Sequence, residues 1–554
     1  MFWKWATDQI IIGVLSKVLF KYVMKQSRLI SLVIITPCIL VQCGTSDKDD
    51  SLMNRPNILI AVGDDISFPH MGAYGCTWVK TPGFDRVARD GILFRNAYTP
   101  NAKSSPSRAC LLTGRNSWQL DEAANHVPFF PARFTTFIES LGDHGYTAGY
   151  TAKGWAPGTA LDSAGNPREL TGRAFNVKKT IPPALGIANA DYAANFEEFL
   201  NTKDPGKPFC FWYGSHEPHR KYQHGSGVAI GGKNLSDIDH VPGFWPDNDI
   251  VRHDMLDYAL EIEYFDSHLV KMLDILEKRG ELRNTIVIVT ADNGMPFPRV
   301  KGQAYEYSNH MPLAIMWGKG IRNPGRTLYD YISFIDIAPT LLEVAGIEQS
   351  ESGMQPIEGK SMARILGSRK RGLADKSRNH VLIGKERHDV GRPDDTGYPI
   401  RGIVKEGYLF LVNFKPNRWP SGDPETGYMD CDASPVKSLV LDLRRTRQSY
   451  DFWKLSFGKR AEEELYNISA DPECLINLAS DPGLNPLKHR MREQMVRELG
   501  QQGDPRILGN GDVFDKYPYS SETVRDFYNR FMKGEVTRRS AGWIDSTDFE
   551  EESY

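Results

Sequence analysis

Ser104-Ser105-Pro106-Ser107-Arg108-Ala109-Cys110-Leu111-Leu112-Thr113-Gly114-Arg115 is the stretch from which the rest of this chain is best read. Small hydroxyl residues precede a proline, a guanidinium follows, then an apolar turn able to open a helix, then Gly114 and a second arginine. A helix that starts near Pro106 leaves unpaired backbone N–H groups and the positive end of its dipole beside Ser104, a place that favours an anion. Arg108 adds to that bias. On Ser104 to Ser107 alone, a serine-rich loop capping an ordinary helix is the commoner reading.

Outward from this stretch lie three continuous apolar runs of strand length: Arg55 to Val62, Phe209 to Tyr213 and Thr285 to Thr290. Runs without polar alternation predict strands covered on both faces. Each delivers reactive side chains at its C-terminal end, namely Gly63-Asp64-Asp65, Gly214-Ser215-His216-Glu217-Pro218-His219-Arg220 and Asp292-Asn293-Gly294. Active sites of open parallel sheets lie at those ends. Between the runs, helical spacing marks Thr81 to Arg89, Thr135 to Leu141 and Asp254 to Lys278. Short strands at Leu93 to Ala97 and Tyr146 to Thr151 complete the order, the second with Lys153 just past its end. Strand, turn and helix in repetition predict an α/β sandwich with a mostly parallel sheet. Asp64, Asp65, Asp292 and Asn293 offer oxygen ligands only, which suits a hard divalent cation such as calcium or magnesium. Each pair alone reads equally well as solvated loop charge.

The full twelve residues resemble the sulfatase signature: Cys or Ser, any residue, Pro, any residue, Arg, then a Thr-Gly-Arg tail, with every fixed position filled. The resemblance implies an alkaline-phosphatase-like sandwich with a large central sheet and a smaller C-terminal subdomain carrying an antiparallel sheet. It implies that Ser104, counted back from Pro106, is oxidised to formylglycine by a serine-oxidising maturating enzyme, the hydrate of that aldehyde being the nucleophile. It assigns Asp64, Asp65, Asp292 and Asn293, with the modified Ser104, to one Ca2+. Arg108, Lys153 and Lys301 become the sulfate-binding cations, and His219, in the Pro-His element, the proton donor. His216 and Arg299 are nearby competitors with a place in substrate binding. The family's histidine two residues after the lysine is Trp155 here. The segments Asp292 to Arg299, Tyr398 to Arg401 and Val412 to Lys415 are similar to the N-sulfoglucosamine sulfohydrolases, the heparan N-sulfatases. The implied substrate is therefore a sulfated, glycosaminoglycan-type saccharide, with the N-sulfate of glucosamine in view; an O-sulfate on galactose or N-acetylhexosamine is the alternative. His388, Arg392 and Asp394, in a polar loop, are candidate sugar contacts, the other reading being a solvated charge cluster.

The chain has 554 residues and 40% hydrophobic content, enough for one large core and a second smaller one. A net charge of −3 carries no nucleic-acid signature, so an anionic substrate has to be met by placed cations. Seven cysteines without tight spacing argue against a zinc site or a disulfide scaffold, leaving one bridge, Cys431 with Cys474, open. Residues 1–50 read as a leader and tether: apolar runs Ile10 to Phe20 and Leu29 to Val41, then a loose lipoprotein box ending at Cys43 and an acidic tract. This predicts export to the periplasm or cell surface, with membrane attachment only through a lipid on Cys43. The catalytic domain is expected over 54–370 and the C-terminal subdomain over 377–554, ending in a polar, partly disordered tail. Two other classes fit parts of the pattern. A phosphohydrolase or phosphotransferase of the same superfamily predicts His and Asp ligands for a second metal, and a non-catalytic glycan binder is favoured slightly by Trp155.

Overall fold

The computed structural model describes residues 55–550, so the leader and Cys43 lie outside the described residues. β1 (Asn57–Gly63) is buried along its whole length. Burying each of its Ile, Leu and Val side chains stabilises the fold by roughly 1.5–3 kcal/mol, which is why an unbroken apolar run settles at the centre of a sheet. In chain order follow α1 (Pro82–Asp90), β2 (Ile92–Tyr98), α2 (Ser104–Thr113), α3 (Phe137–Asp143), β3 (Thr147–Ala152), β4 (Arg173–Ala174), α4 (Tyr192–Thr202), β5 (Phe209–Gly214), α5 (Asp249–Lys278), β6 (Thr285–Ala291), β7 (His310–Met316) and β8 (Arg326–Ser333). The eight strands form one sheet in the order β8-β2-β7-β6-β1-β5-β3-β4. Only β7 among them runs antiparallel to its neighbours; the remaining pairings are parallel.

Register decides where the chemistry falls. Val62 of β1 pairs with Gly214 of β5 and Thr290 of β6, and Gly214 pairs with Ala152 of β3. The C-terminal ends of β6, β1, β5 and β3 therefore finish level. The backbones stay bonded just beyond the strands, Asp292 N–H to Gly63 O at 3.1 Å, Ser215 N–H to Val62 O at 3.1 Å and Lys153 N–H to Gly214 O at 2.8 Å. Gly214 is required by this closeness, since a Cβ there would stand 1.7 Å from the Lys153 carbonyl oxygen.

The second sheet is antiparallel, β9 (His380–Lys385), β10 (Ile400–Lys405), β11 (Tyr408–Asn413) and β12 (Glu463–Asn467) in that order. Helix α6 (Pro435–Arg445) precedes β12, and α7 (Asn485–Gln501) lays Met491, Met495 and Leu499 against Ile403, Phe410 and Leu465 of the sheet. Tyr428, Val436, Val440 and Trp453 return to the apolar cluster that contains β1. The tail departs from the expected disorder. Tyr519, Phe527, Ile544 and Phe549 are scattered too widely to show a period, yet they pack with Val390 and Met429 into a cluster of their own. Cys431 and Cys474 are free thiols buried in two different clusters, so the open bridge is not made.

α1 is capped from a distance. Thr81 at its N-cap makes no side-chain cap bond; instead the buried carboxylate of Asp266, on α5, accepts from the N–H groups of Gly83 and Phe84, both at 2.7 Å. Asp266→Ala leaves those two donors buried and unpaired and is expected to cost about 1–3 kcal/mol, read as a lower midpoint in urea unfolding. Asp266→Asn keeps one acceptor and should lose less.

Candidate active site

The level strand ends put Asp64 after β1, Lys153 after β3, and His216 and His219 after β5 around one cavity of about 690 Å³, with Asp65, Asp292 and Asn293 buried behind Asp64 and Ser104. α2 points its first residue into the same place. Ser104 is 2% exposed, and its Oγ donates to Asp64 Oδ1 at 3.1 Å, accepts from Lys153 Nζ at 3.0 Å, and lies 3.5 Å from Asn293 Oδ1. The helix begins at Ser104, two residues earlier than the proline suggested, because Pro106 sits in the first turn where its missing N–H is no loss. It ends at Gly114, whose φ of +67° and N–H bond to Cys110 O form a left-handed cap.

Each carboxylate has its own cation. Asp64 takes Lys153 at 2.5 Å, Asp292 takes Arg108 Nε at 2.9 Å, and Asp65 takes Lys301 Nζ on both oxygens. Burial alone would raise the Asp64 carboxyl, but Lys153, His219, Arg108 and Lys301 together hold it well below the ordinary range. Burial and then the neighbouring Asp64 push Asp292 the other way, upward, against Arg108. Lys301 is likewise desolvated, yet Asp65 and Asp432 keep its ammonium charged. Asp65 holds a φ of +77°, unusual for a residue with a Cβ, and its N–H is tied to Asp292 Oδ1 at 3.1 Å. His219 presents Nε2 4.0 Å from Asp65 Oδ2. Its Nδ1 lies 2.9 Å from the Arg220 carbonyl, which only accepts, so Nδ1 carries the hydrogen and Nε2 faces the site.

A family model described as Sulfatase matches residues 56–347. The chain belongs to the sulfatase family. It is 26% identical over 497 residues to human N-sulphoglucosamine sulphohydrolase, covering 83% of this chain and 93% of that protein. It is 26% identical over 427 residues to the N-acetylglucosamine-6-O-sulfatase of Bacteroides thetaiotaomicron, covering 61% of this chain and 75% of that protein. A solved structure of a complex with D-glucosamine-2-N,6-O-disulfate shares the fold, with a TM-score of 0.56 and 19% identity over 81% of this chain and 98% of that one. This sulfatase is thus a hydrolase of sulfuric esters or sulfamates.

The sulfatase's donor set fits a divalent cation. Carboxylate oxygens of Asp64, Asp65 and Asp292 lie within 4.8 Å of one another, all three residues buried, with the amide oxygen of Asn293 beside Ser104. No sulfur or imidazole enters this group, as hard cations prefer. Asp65, His219 and Asp432 form a second such cluster. There the Lys301 ammonium, bonded to Asp65 and 3.7 Å from Asp432, already supplies the positive charge that a second metal would bring.

Other residues proposed from sequence lie elsewhere. Arg299 gives its guanidinium to the Leu455 and Cys474 carbonyls and stacks on Tyr305. His388 is fully buried against Asn101, and Arg392 pairs with Asp430 at 2.8 Å. Asp394 is exposed and accepts from Asn529. These four are fixed by packing or lie on the surface, and none lines the cavity. His216 does line it, exposed at its edge. Reading by residue type missed Lys103, His126, Asp389 and Asp432, together with Tyr519, Val524 and Trp543 of the tail, which wall the cavity. Lys103 Nζ and Asp389 Oδ2 pair at 2.9 Å, and His126 sits 3.4 Å from Asp389. Lys103, directly before Ser104, and Asp389, directly after His388, were each one residue from a chosen position.

Calcium added to chelator-stripped protein is expected to raise its thermal midpoint, the stabilisation reaching about 2.7 kcal/mol at a hundredfold excess over Kd. Asp65→Asn should lose most of that shift, which differential scanning calorimetry reads directly.

Proposed function

We propose that this sulfatase removes the N-sulfate from a glucosamine unit of a glycosaminoglycan-type saccharide, using Ser104 after its oxidation to formylglycine. The observation that carries the reading is the setting of the Ser104 hydroxyl, held between the Asp64 carboxylate and the Lys153 ammonium at 3.1 and 3.0 Å. The similarity to N-sulphoglucosamine sulphohydrolase, which runs through 93% of that protein, supports the N-sulfo group. A 6-O-sulfate on the same sugar is the second reading, favoured by the similarity to the N-acetylglucosamine-6-O-sulfatase.

With Ser104 as a hydrated aldehyde, one hydroxyl would attack sulfur and the second would let sulfate be expelled, while Asp64, Asp65, Asp292 and Asn293 would hold a calcium ion that would draw charge from the sulfate oxygens. The chain's own groups do the rest. Arg108 is wholly buried, spends Nη1 on the Lys153 and Gly154 carbonyls and Nε on Asp292, and keeps Nη2 without a hydrogen-bond partner, 3.9 Å from Asp64 Oδ1. That donor, with the ammonium groups of Lys153 and Lys301, binds the sulfate oxygens and the charge that grows on them. His219 acts as the imidazolium, keeping the Nδ1 hydrogen on the Arg220 carbonyl and giving its Nε2 proton to the departing nitrogen. Asp64 accepts a hydrogen bond from the nucleophile and orients it; its depressed pKa keeps it a carboxylate while doing so. Trp155 cannot replace the family's histidine as a base, since an indole N–H only donates, and it is committed to Ser105 O at 3.1 Å. The same proposal takes the protein to be exported, anchored through Cys43, and matured by a serine-oxidising enzyme.

Protein made in a host with such a maturating enzyme should show the Ser104 peptide about 2 Da light, the loss of two hydrogens. It should release sulfate from N-sulfoglucosamine. Ser104→Ala, with an unchanged unfolding midpoint, should lose about a thousandfold or more of kcat, and Lys153→Ala about a hundredfold or more. An unshifted peptide in active protein would contradict the formylglycine mechanism.

A further inference from the structure

Asp432 is one of the cavity groups that the steps above leave unused. It lines the cavity at 5% exposure, and its Oδ2 is buried with no hydrogen-bond partner among the described residues. Its cation, Lys301, stands off at 3.7 Å because that ammonium is bonded to both oxygens of Asp65. Buried carboxylate oxygens are rarely left without a donor, and one lining a substrate cavity calls for a donor carried by the substrate.

Position says which donor. An oxygen of Asp432 lies within 4.8 Å of a ring nitrogen of His219. His219 is the proton donor to the leaving atom, so Asp432 faces the same atom. In a sulfamate that atom is a nitrogen bearing one hydrogen, and in a sulfate ester it is an oxygen bearing none. A carboxylate can only accept. We propose that Asp432 is a specificity-determining residue that accepts the sulfamate N–H and selects N-sulfoglucosamine over O-sulfated sugars.

The inference rests on the N-sulfo reading of the site and adds the residue that enforces it. Opposite an ester oxygen, lone pairs would face a buried carboxylate and its free oxygen would stay unpaired, a mismatch of the kind that discriminates by about a hundredfold or more. The chemistry keeps Asp432 satisfied throughout. As the nucleophile's oxygen–sulfur bond forms, the sulfur–nitrogen bond breaks, its electron pair stays on nitrogen, and the proton from His219 joins it. The nitrogen leaves as an amine with two hydrogens where it had one, and the carboxylate has acceptor capacity for both.

The test measures kcat/KM of wild type and Asp432→Ala, which removes the acceptor, on N-sulfoglucosamine and on glucosamine-6-O-sulfate, in preparations matched for Ser104 conversion and unfolding midpoint. The variant is expected to lose at least about thirtyfold more on the N-sulfo substrate than on the ester. Equal losses on both would overturn the role of Asp432 and leave the N-sulfo activity standing. A wild type that cleaves the ester alone would overturn both. Should the variant fail to fold, the wild type still decides: glucosamine is expected to inhibit at least about tenfold more tightly than glucose, through its amine, and equal inhibition would sink the assignment.

Discussion

Three carboxylates buried within 4.8 Å of one another are the constraint on which the rest of this molecule depends. Ionised together in a desolvated site they would repel strongly, and the fold answers by bringing one cation to each from a different loop. Lys153 comes from the end of β3, Arg108 from α2 and Lys301 from beyond β6. The three pairs balance one another, so a divalent cation entering the oxygen cluster leaves the cationic side chains in excess. An excess of fixed positive charge, excluded from water, is what a sulfate anion needs.

The same logic shapes the wall opposite the sheet. Asp430 is fully buried between Lys385 at 2.9 Å and Arg392 at 2.8 Å, and its carboxyl is driven far down by those cations despite burial. Its carbonyl accepts from Lys103 Nζ at 3.1 Å, its Oδ1 accepts the Asp389 N–H at 2.9 Å, and two residues on stands Asp432. One buried ion-pair centre in the C-terminal half thereby holds Lys103 and Asp389 at the cavity and stands two residues from Asp432. Such a centre adds little net stability, because desolvation offsets most of its attraction, but it specifies geometry.

What sequence made legible follows from the range of the forces involved. The strands were readable because burial on both faces leaves no polar alternation, and Phe209–Gly214 and Thr285–Ala291 lie where their apolar runs do. Asp64, Asp65, Asp292 and Asn293 stood out as candidates because strand ends in a parallel sheet converge, but it took the resemblance to the sulfatase motifs to assign them, Lys153 and His219 to one site. The C-terminal contacts were not readable, because an extended segment sends successive side chains to opposite sides. Choosing His388 over Asp389 picked the face turned into the core, and only the packing of Asn101 against that face shows it. Arg299 was attractive as a cation near Lys301, but a planar guanidinium finds better company in two carbonyls and the Tyr305 ring than in a lysine's place. The tail hid because its apolar residues carry no period.

Trp155 shows how the site is held as well as how it differs from its family. Its indole N–H clasps the Ser105 carbonyl and its ring meets Phe130 edge-on at 5.1 Å, so the position steadies the first turn of α2. Two more clasps bind that turn to the loops it serves. Ser107 Oγ donates to the Asp292 carbonyl at 2.5 Å, and Arg108 Nη1 reaches the carbonyls of Lys153 and Gly154 at 2.8 and 3.0 Å. The Lys153 carbonyl also accepts from the Trp212 indole at 3.0 Å. The helix that carries Ser104 and the loops that carry its partners are thus bonded to each other through backbone atoms. Apart from Arg108, which spends Nη1 here and keeps Nη2 for sulfate, these bonds do not involve the side chains that would engage sulfate, so substrate can take those side chains up while the frame stays in register. Placement of that kind, fixed before substrate arrives, is what lowers the cost of reaching the transition state.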